Sequence, residues 1–143
     1  DPIVQAIQKG LDKVAETGPP VTVAGALRVN FGAEHPIMAV RGSGGFGISV
    51  TDEQIMNAQR EIARHEGIFC EISSAAALAA VAEALKLGKI ARDEKVAAIL
   101  TGAGLKDYPT TAAELSQVPL SESVTSLSKA LEKITASVRF KGA

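Results

Sequence analysis

The sequence predicts an α/β fold, an open and mostly parallel sheet with flanking helices. Three observations predict it. Between Phe46 and Leu100, short apolar runs alternate with helical patterns in the order strand, helix, strand, helix, strand. Val96–Leu100 is continuously apolar, the pattern of a strand covered on both faces. Ahead of it, AAALAAVAEALKL (Ala75–Leu87) is rich in alanine. Such small side chains let a helix backbone approach a sheet or another helix closely, so this segment is expected to be deeply buried.

The elements follow in order. Residues 2 to 16 carry Ile3, Ile7, Leu11 and Val14 at spacings of three and four, which predicts a helix. Gly18-Pro19-Pro20 breaks the pattern, and Val21–Phe31 is ambiguous. Pro36–Val40 is a short helix candidate, followed by Gly42-Ser43-Gly44-Gly45 and an expected strand at Phe46–Val50. Thr51-Asp52-Glu53-Gln54 is a capping box, in which the threonine and the glutamine each satisfy the other's backbone N–H. The helix behind it presents Ile55, Ala58, Ile62 and Ala63 on one face and stops near Glu66-Gly67. Ile68-Phe69-Cys70 is expected to be extended. Ser73 or Ser74 is the expected cap of the alanine-rich helix, and Gly88 its stop.

Beyond Tyr108 the composition turns polar and proline-punctuated. This divides the chain into residues 1–107, the α/β part, and residues 108–143, a C-terminal extension of polar linker and one expected amphipathic helix over 123–137.

Bulk properties exclude several function classes. The 143 residues are 46% apolar, enough for the core of one domain. Fifteen basic residues against 16 acidic ones leave no electrostatic footprint for nucleic acid. Aromatic content is 3%, so stacking platforms for bases are scarce. The scattered cations do not favour a membrane surface, and the apolar runs are too short to span a bilayer. The single cysteine, Cys70, excludes an internal disulfide or a multi-cysteine zinc site and fits a reduced, cytoplasmic setting. No signal peptide is expected from the opening residues.

Thr101 is the residue that asks for an explanation. Ligands in open α/β sheets sit outside the carboxyl ends of the strands. Thr101 follows Val96–Leu100 at that end, and Gly102 and Gly104 remove side chains beside it. Either a small molecule meets this hydroxyl, or the threonine closes a tight turn.

The strings HEGIFCEISSAAALAAVAEALKLGKI and EKVAAILTGAGLKD resemble the C-terminal part of the threonine synthases, within the fold-type-II pyridoxal-phosphate enzymes. TVAGALRV and RGSGGFGISVTDEQIMNAQREIARHEGIF resemble the segments that precede it, in the same order. The resemblance covers residues 20 to 107. It implies part of a large domain like that of the tryptophan synthase β chain. It further implies that Thr101 hydrogen-bonds the pyridine nitrogen of pyridoxal 5'-phosphate, with Gly102 and Gly104 against the ring edge. Such a neutral hydroxyl, unlike a carboxylate, does not force the nitrogen to hold a proton. Glu71 matches an acidic residue near the cofactor ring. Read from its position alone, it serves equally well at the start of the next helix. Ile72 stands where the family usually has proline.

The lysine that forms the Schiff base and the phosphate-cradling loop lie upstream in this family, and neither is present. The resemblance therefore implies the last third of a larger enzyme, without a catalytic residue of its own and inactive alone. The implied reaction converts O-phosphohomoserine and water to threonine and phosphate. The implied partners are an amino-acid substrate, the missing N-terminal part and a second copy in a cytoplasmic homodimer. The alternatives are another fold-type-II reaction, a dehydratase or a sulfur-nucleophile β-replacement, or a non-catalytic α/β binding module. Gly42–Gly47 lacks the ending of a phosphate-binding loop, and Gly45 is expected there to supply a positive φ. His35 and His65 are expected at the surface and Cys70 in the core, with no metal site.

Overall fold

The computed structural model describes residues 1–15, 17–30 and 32–106. All belong to the first of the two units into which the chain divides, Asp1–Asp107. The expected helix over 123–137 and the extension containing it lie outside the described residues.

Helix α1 spans Pro2–Gln8 and opens on proline, whose missing N–H is an unbonded position of any first turn. It is half the length the apolar spacing predicts. Gly10 adopts φ +69°, and the N–H groups of Gly10 and Leu11 turn back onto the carbonyls of Ile7 and Ala6. That closure ends the helix. Val14 packs instead beside Gly32, where a Cβ would come within 2.9 Å of its methyl. Helix α2, Glu34–Gly42, holds Pro36 in its first turn and buries Ile37 completely. Arg41 ties it to the loop after α1, bonding Asp12 and the Leu11 carbonyl.

Helix α3, Asp52–Glu66, begins with the expected capping box. Gln54 N–H donates to Thr51 Oγ1 at 3.2 Å, and Thr51 N–H to Gln54 Oε1 at 2.8 Å. It ends at Gly67, left-handed at φ 67°. Ile55 is buried as expected, with Ala58 and Ile62 packed at the core's edge. The surprise is Gln59, buried because its Nε2 donates to the Cys70 carbonyl at 2.7 Å. A polar side chain satisfied in this way is tolerated inside.

Helix α4 runs Ile72–Lys86, three residues ahead of the expected start. Neither Ser73 nor Ser74 caps it. The N-cap is Glu71, whose side chain makes no capping hydrogen bond. Alanines at 75 and 79 bring α4 against α3, and Ala24, Ile55, Cys70, Ile72, Ala75 and Ala79 form one core. Burial is one-sided, since Leu85 and Leu87 are exposed. Gly88, at φ 63°, supplies the predicted stop.

The expected parallel sheet is not formed among the described residues. Their single strand-type pairing is an antiparallel bridge between Cys70 and Ala103. Phe46–Val50 and Val96–Leu100 run without a ladder. Nor is Val96–Leu100 covered on both faces: Ile99 is 77% exposed, and only Leu100 reaches the core's edge. The physical reason is that a strand is completed by a neighbour's amides and carbonyls, and no described segment offers them to this run.

Candidate functional site

The bridge between Cys70 and Ala103 brings two distant segments side by side. Glu71 N–H donates to the Gly102 carbonyl and Gly104 N–H to the Phe69 carbonyl, both at 2.9 Å. One segment leads into α4. The other is the turn after Leu100, closed by a 3₁₀ turn at Gly104–Lys106. The pairing sets Thr101 beside the first turn of α4.

Thr101 is exposed at this rim, and its hydroxyl is organised from beneath. Oγ1 donates to Glu71 Oε1 at 3.2 Å and lies 3.0 Å from Ser74 Oγ. Glu71 is 4% exposed. Its Oε1 also faces Ser74 Oγ at 3.4 Å, and its Oε2 lies 3.3 Å from Lys106 Nζ. A buried carboxylate needs hydrogen bonds and a countercharge, and this one has both. Ser74 Oγ accepts from the backbone N–H of Thr101 at 2.9 Å and of Gly102 at 3.1 Å.

The structure therefore brings together all four residues singled out in the sequence, Thr101, Gly102, Gly104 and Glu71. It also gives the two glycines a role within the protein. A Cβ on Gly102 would stand 2.5 Å from the Glu71 carboxyl carbon, and one on Gly104 would stand 2.5 Å from the Phe69 ring. Their missing side chains admit these protein groups. Glu71 likewise occupies the N-cap of α4 while its carboxylate turns away to Thr101, Ser74 and Lys106.

Two participants lie beyond what the sequence indicates: Ser74, expected there as a cap, and Phe69. Ser74 had a detectable signal. Residues three apart at a helix start share a face, so Glu71 and Ser74 point the same way. Nothing local marks Phe69 as the ring that requires a glycine at 104.

Other candidates fall away. In the Gly42–Gly47 loop, the N–H groups of Ser43, Gly44 and Gly45 all bond carbonyls of α2, at Ala39, Arg41 and Val40. These three amides are spent on closing the helix, and the positive φ belongs to Gly44, not Gly45. His65 bonds Glu61 on the surface of α3, and Cys70 is buried. Among the described residues no His/Cys/Asp/Glu cluster could hold a metal, and no helix is long and apolar enough to cross a membrane.

Comparison with known proteins gives a consistent match. The profile described as "Pyridoxal-phosphate dependent enzyme" matches residues 1–102. The chain is 40% identical to the threonine synthase of Methanocaldococcus jannaschii over 121 residues, covering 83% of this chain and 30% of that protein. It is 42% identical to the threonine synthase of Methanosarcina acetivorans over 120 residues, 82% of this chain and 29% of that one. A Bacillus threonine synthase is 38% identical over 117 residues, 80% and 32%. The chain thus spans about 30% of the length of these curated relatives.

Proposed function

The chain belongs to the pyridoxal-phosphate dependent enzymes, and from that premise we propose that it supplies the ring-nitrogen side of the cofactor pocket in a threonine synthase. The reaction takes O-phosphohomoserine and water to threonine and phosphate. The observation that carries this reading is the Thr101 hydroxyl, held at an exposed rim by a buried carboxylate.

The residues present fit the cofactor. A hydroxyl has one proton and two lone pairs. With its proton on Glu71 and one lone pair on Ser74, Thr101 keeps a lone pair for a ring nitrogen's proton. Alternatively, it releases its own proton from Glu71 to a bare nitrogen. When bound, pyridoxal phosphate supplies an electron sink for carbon-centred charge. The chain's own residues bind and orient. Thr101 anchors the nitrogen edge, Glu71 holds the Thr101 hydroxyl from below, and Lys106 balances the Glu71 charge. Gly102 and Gly104 let the carboxylate and the Phe69 ring lie tight under the turn.

The Schiff-base lysine and the phosphate cradle are proposed to lie outside these residues, which leaves the 143 residues inactive alone. The exposed face of Val96 and Ile99 supports strands from outside the described residues completing a mostly parallel sheet on this run. The homodimer and the cytoplasmic setting belong to the same proposal and rest on the resemblance to threonine synthases, while the division at 107/108 rests on the polar, proline-punctuated composition beyond Tyr108.

Complementation tests the reaction. Expressed together with the proposed segment that bears the Schiff-base lysine and phosphate cradle, this sequence is expected to restore growth without threonine to a bacterium lacking threonine synthase, and Thr101→Val is expected to abolish it. Unimpaired growth with Thr101→Val would overturn the role of Thr101. Rescue of a threonine-dehydratase mutant's isoleucine requirement instead would overturn the choice of reaction.

A further inference from the structure

Ser74 is a residue whose chemistry its own helix does not use. It lies in the first turn of α4, among alanines, and is 4% exposed. Alanine is the better helix former at such a position, and the hydroxyl bonds no amide of α4. Its polar neighbours all belong to the Glu71–Thr101 junction. They are Thr101 N at 2.9 Å, Gly102 N at 3.1 Å, Thr101 Oγ1 at 3.0 Å and Glu71 Oε1 at 3.4 Å.

Counting donors assigns the protons. Two backbone N–H groups occupy both lone pairs of Ser74 Oγ. Its single proton then has two possible acceptors, Thr101 Oγ1 and Glu71 Oε1. Glu71 Oε1 already takes the Thr101 proton at 3.2 Å, and the Ser74–Thr101 distance is the shorter of the two. The bonds therefore run from the backbone of Thr101 and Gly102 to Ser74, from Ser74 to Thr101 Oγ1, and from Thr101 Oγ1 to Glu71.

We propose that Ser74 is the positioning residue for Thr101, fixing both the backbone of the 101–102 turn and the rotamer and proton direction of the Thr101 hydroxyl. The functional meaning of that positioning rests on reading Thr101 as the group that meets the cofactor. Ser74 acts from a helix whose own start needs no such hydroxyl. The geometry of the rim is thereby tied to α4 and not left to a free loop.

The test is made on the full chain by nuclear magnetic resonance. Ser74→Ala is expected to speed amide exchange at Thr101 and Gly102 by about tenfold, the factor that corresponds to ~1.4 kcal/mol. Amides in the middle of α4 should keep their rates. The three-bond couplings that report Thr101 χ1 should change from one rotamer to an average. Ser74→Thr, which keeps a hydroxyl, should restore both. Unchanged exchange and couplings in Ser74→Ala would overturn the proposal, as would equal acceleration throughout α4. Should Ser74→Ala lose the fold, Ser74→Cys decides. Its thiol is a weak acceptor, so faster exchange confined to residues 101 and 102 supports the role, and unchanged exchange overturns it. Complementation separates the two readings. Normal growth of Thr101→Val alongside a positive Ser74 result defeats only the cofactor role, and the reverse combination defeats only Ser74.

Discussion

The α3–α4 pair and the junction of residues 69–74 with 101–106 are adjacent, yet they are built by different means. The helices are specified locally. Thr51 and Gln54 close the start of α3, Gly67 and Gly88 mark the two ends, and small or apolar residues at helical spacing make the contact. The junction has almost no local specification. Its hydrogen bonds join residues about thirty positions apart, and both its glycines exist for side chains on the other segment. The lesson is that the scaffold tolerates substitution wherever helical pattern is kept, while the junction depends on a few atoms fitting across a gap. Gln59 connects the two, carrying a hydrogen bond from α3 to the carbonyl of Cys70.

Three substitutions would break or sharpen this contrast, and they differ in size. Gly102→Ala should have the largest effect. Its Cβ would meet the buried Glu71 carboxyl, and either that group or the turn must move, at a cost of about 1–3 kcal/mol. A lowered urea midpoint together with lost complementation is the expected result. An unchanged midpoint would show that the junction is looser than its distances indicate. Thr51→Ala should cost about 1 kcal/mol by removing the acceptor for the Gln54 N–H. Its signature is faster exchange in the first turn of α3, with Thr101 and Gly102 unaffected. If the junction amides responded equally, the separation of the two regions would fail. Lys106→Met should be the smallest. The lysine is 68% exposed, so its pairing with Glu71 is screened and contributes about 0.2–1 kcal/mol. Raising the salt concentration in the unsubstituted protein should erase most of the difference between the two.

Legibility followed the same division. The capping box, the ends of α3 and α4, and the placing of Ile55 could be read because each depends on residues within one or two turns. Apolar spacing overextends helix α1, since Gly10 closes it by a backbone geometry that such spacing does not reveal. Serines that resemble caps place the start of α4 too late, because both are engaged elsewhere. Thr101 and Glu71 were identifiable as a pair of interest, but the sequence could not say that they touch.

What the sequence determined alone was periodicity and punctuation: which segments coil, where they stop, and which residue types gather near Thr101. Those features arise from short-range sterics and from hydrogen bonds to near neighbours. Only the tertiary structure decided that Ser74 serves the turn and not its helix, that Gly102 and Gly104 make room for Glu71 and Phe69, and that Val96–Leu100 keeps an open face. Each of these depends on what stands opposite in space, and separation along a chain carries no measure of that.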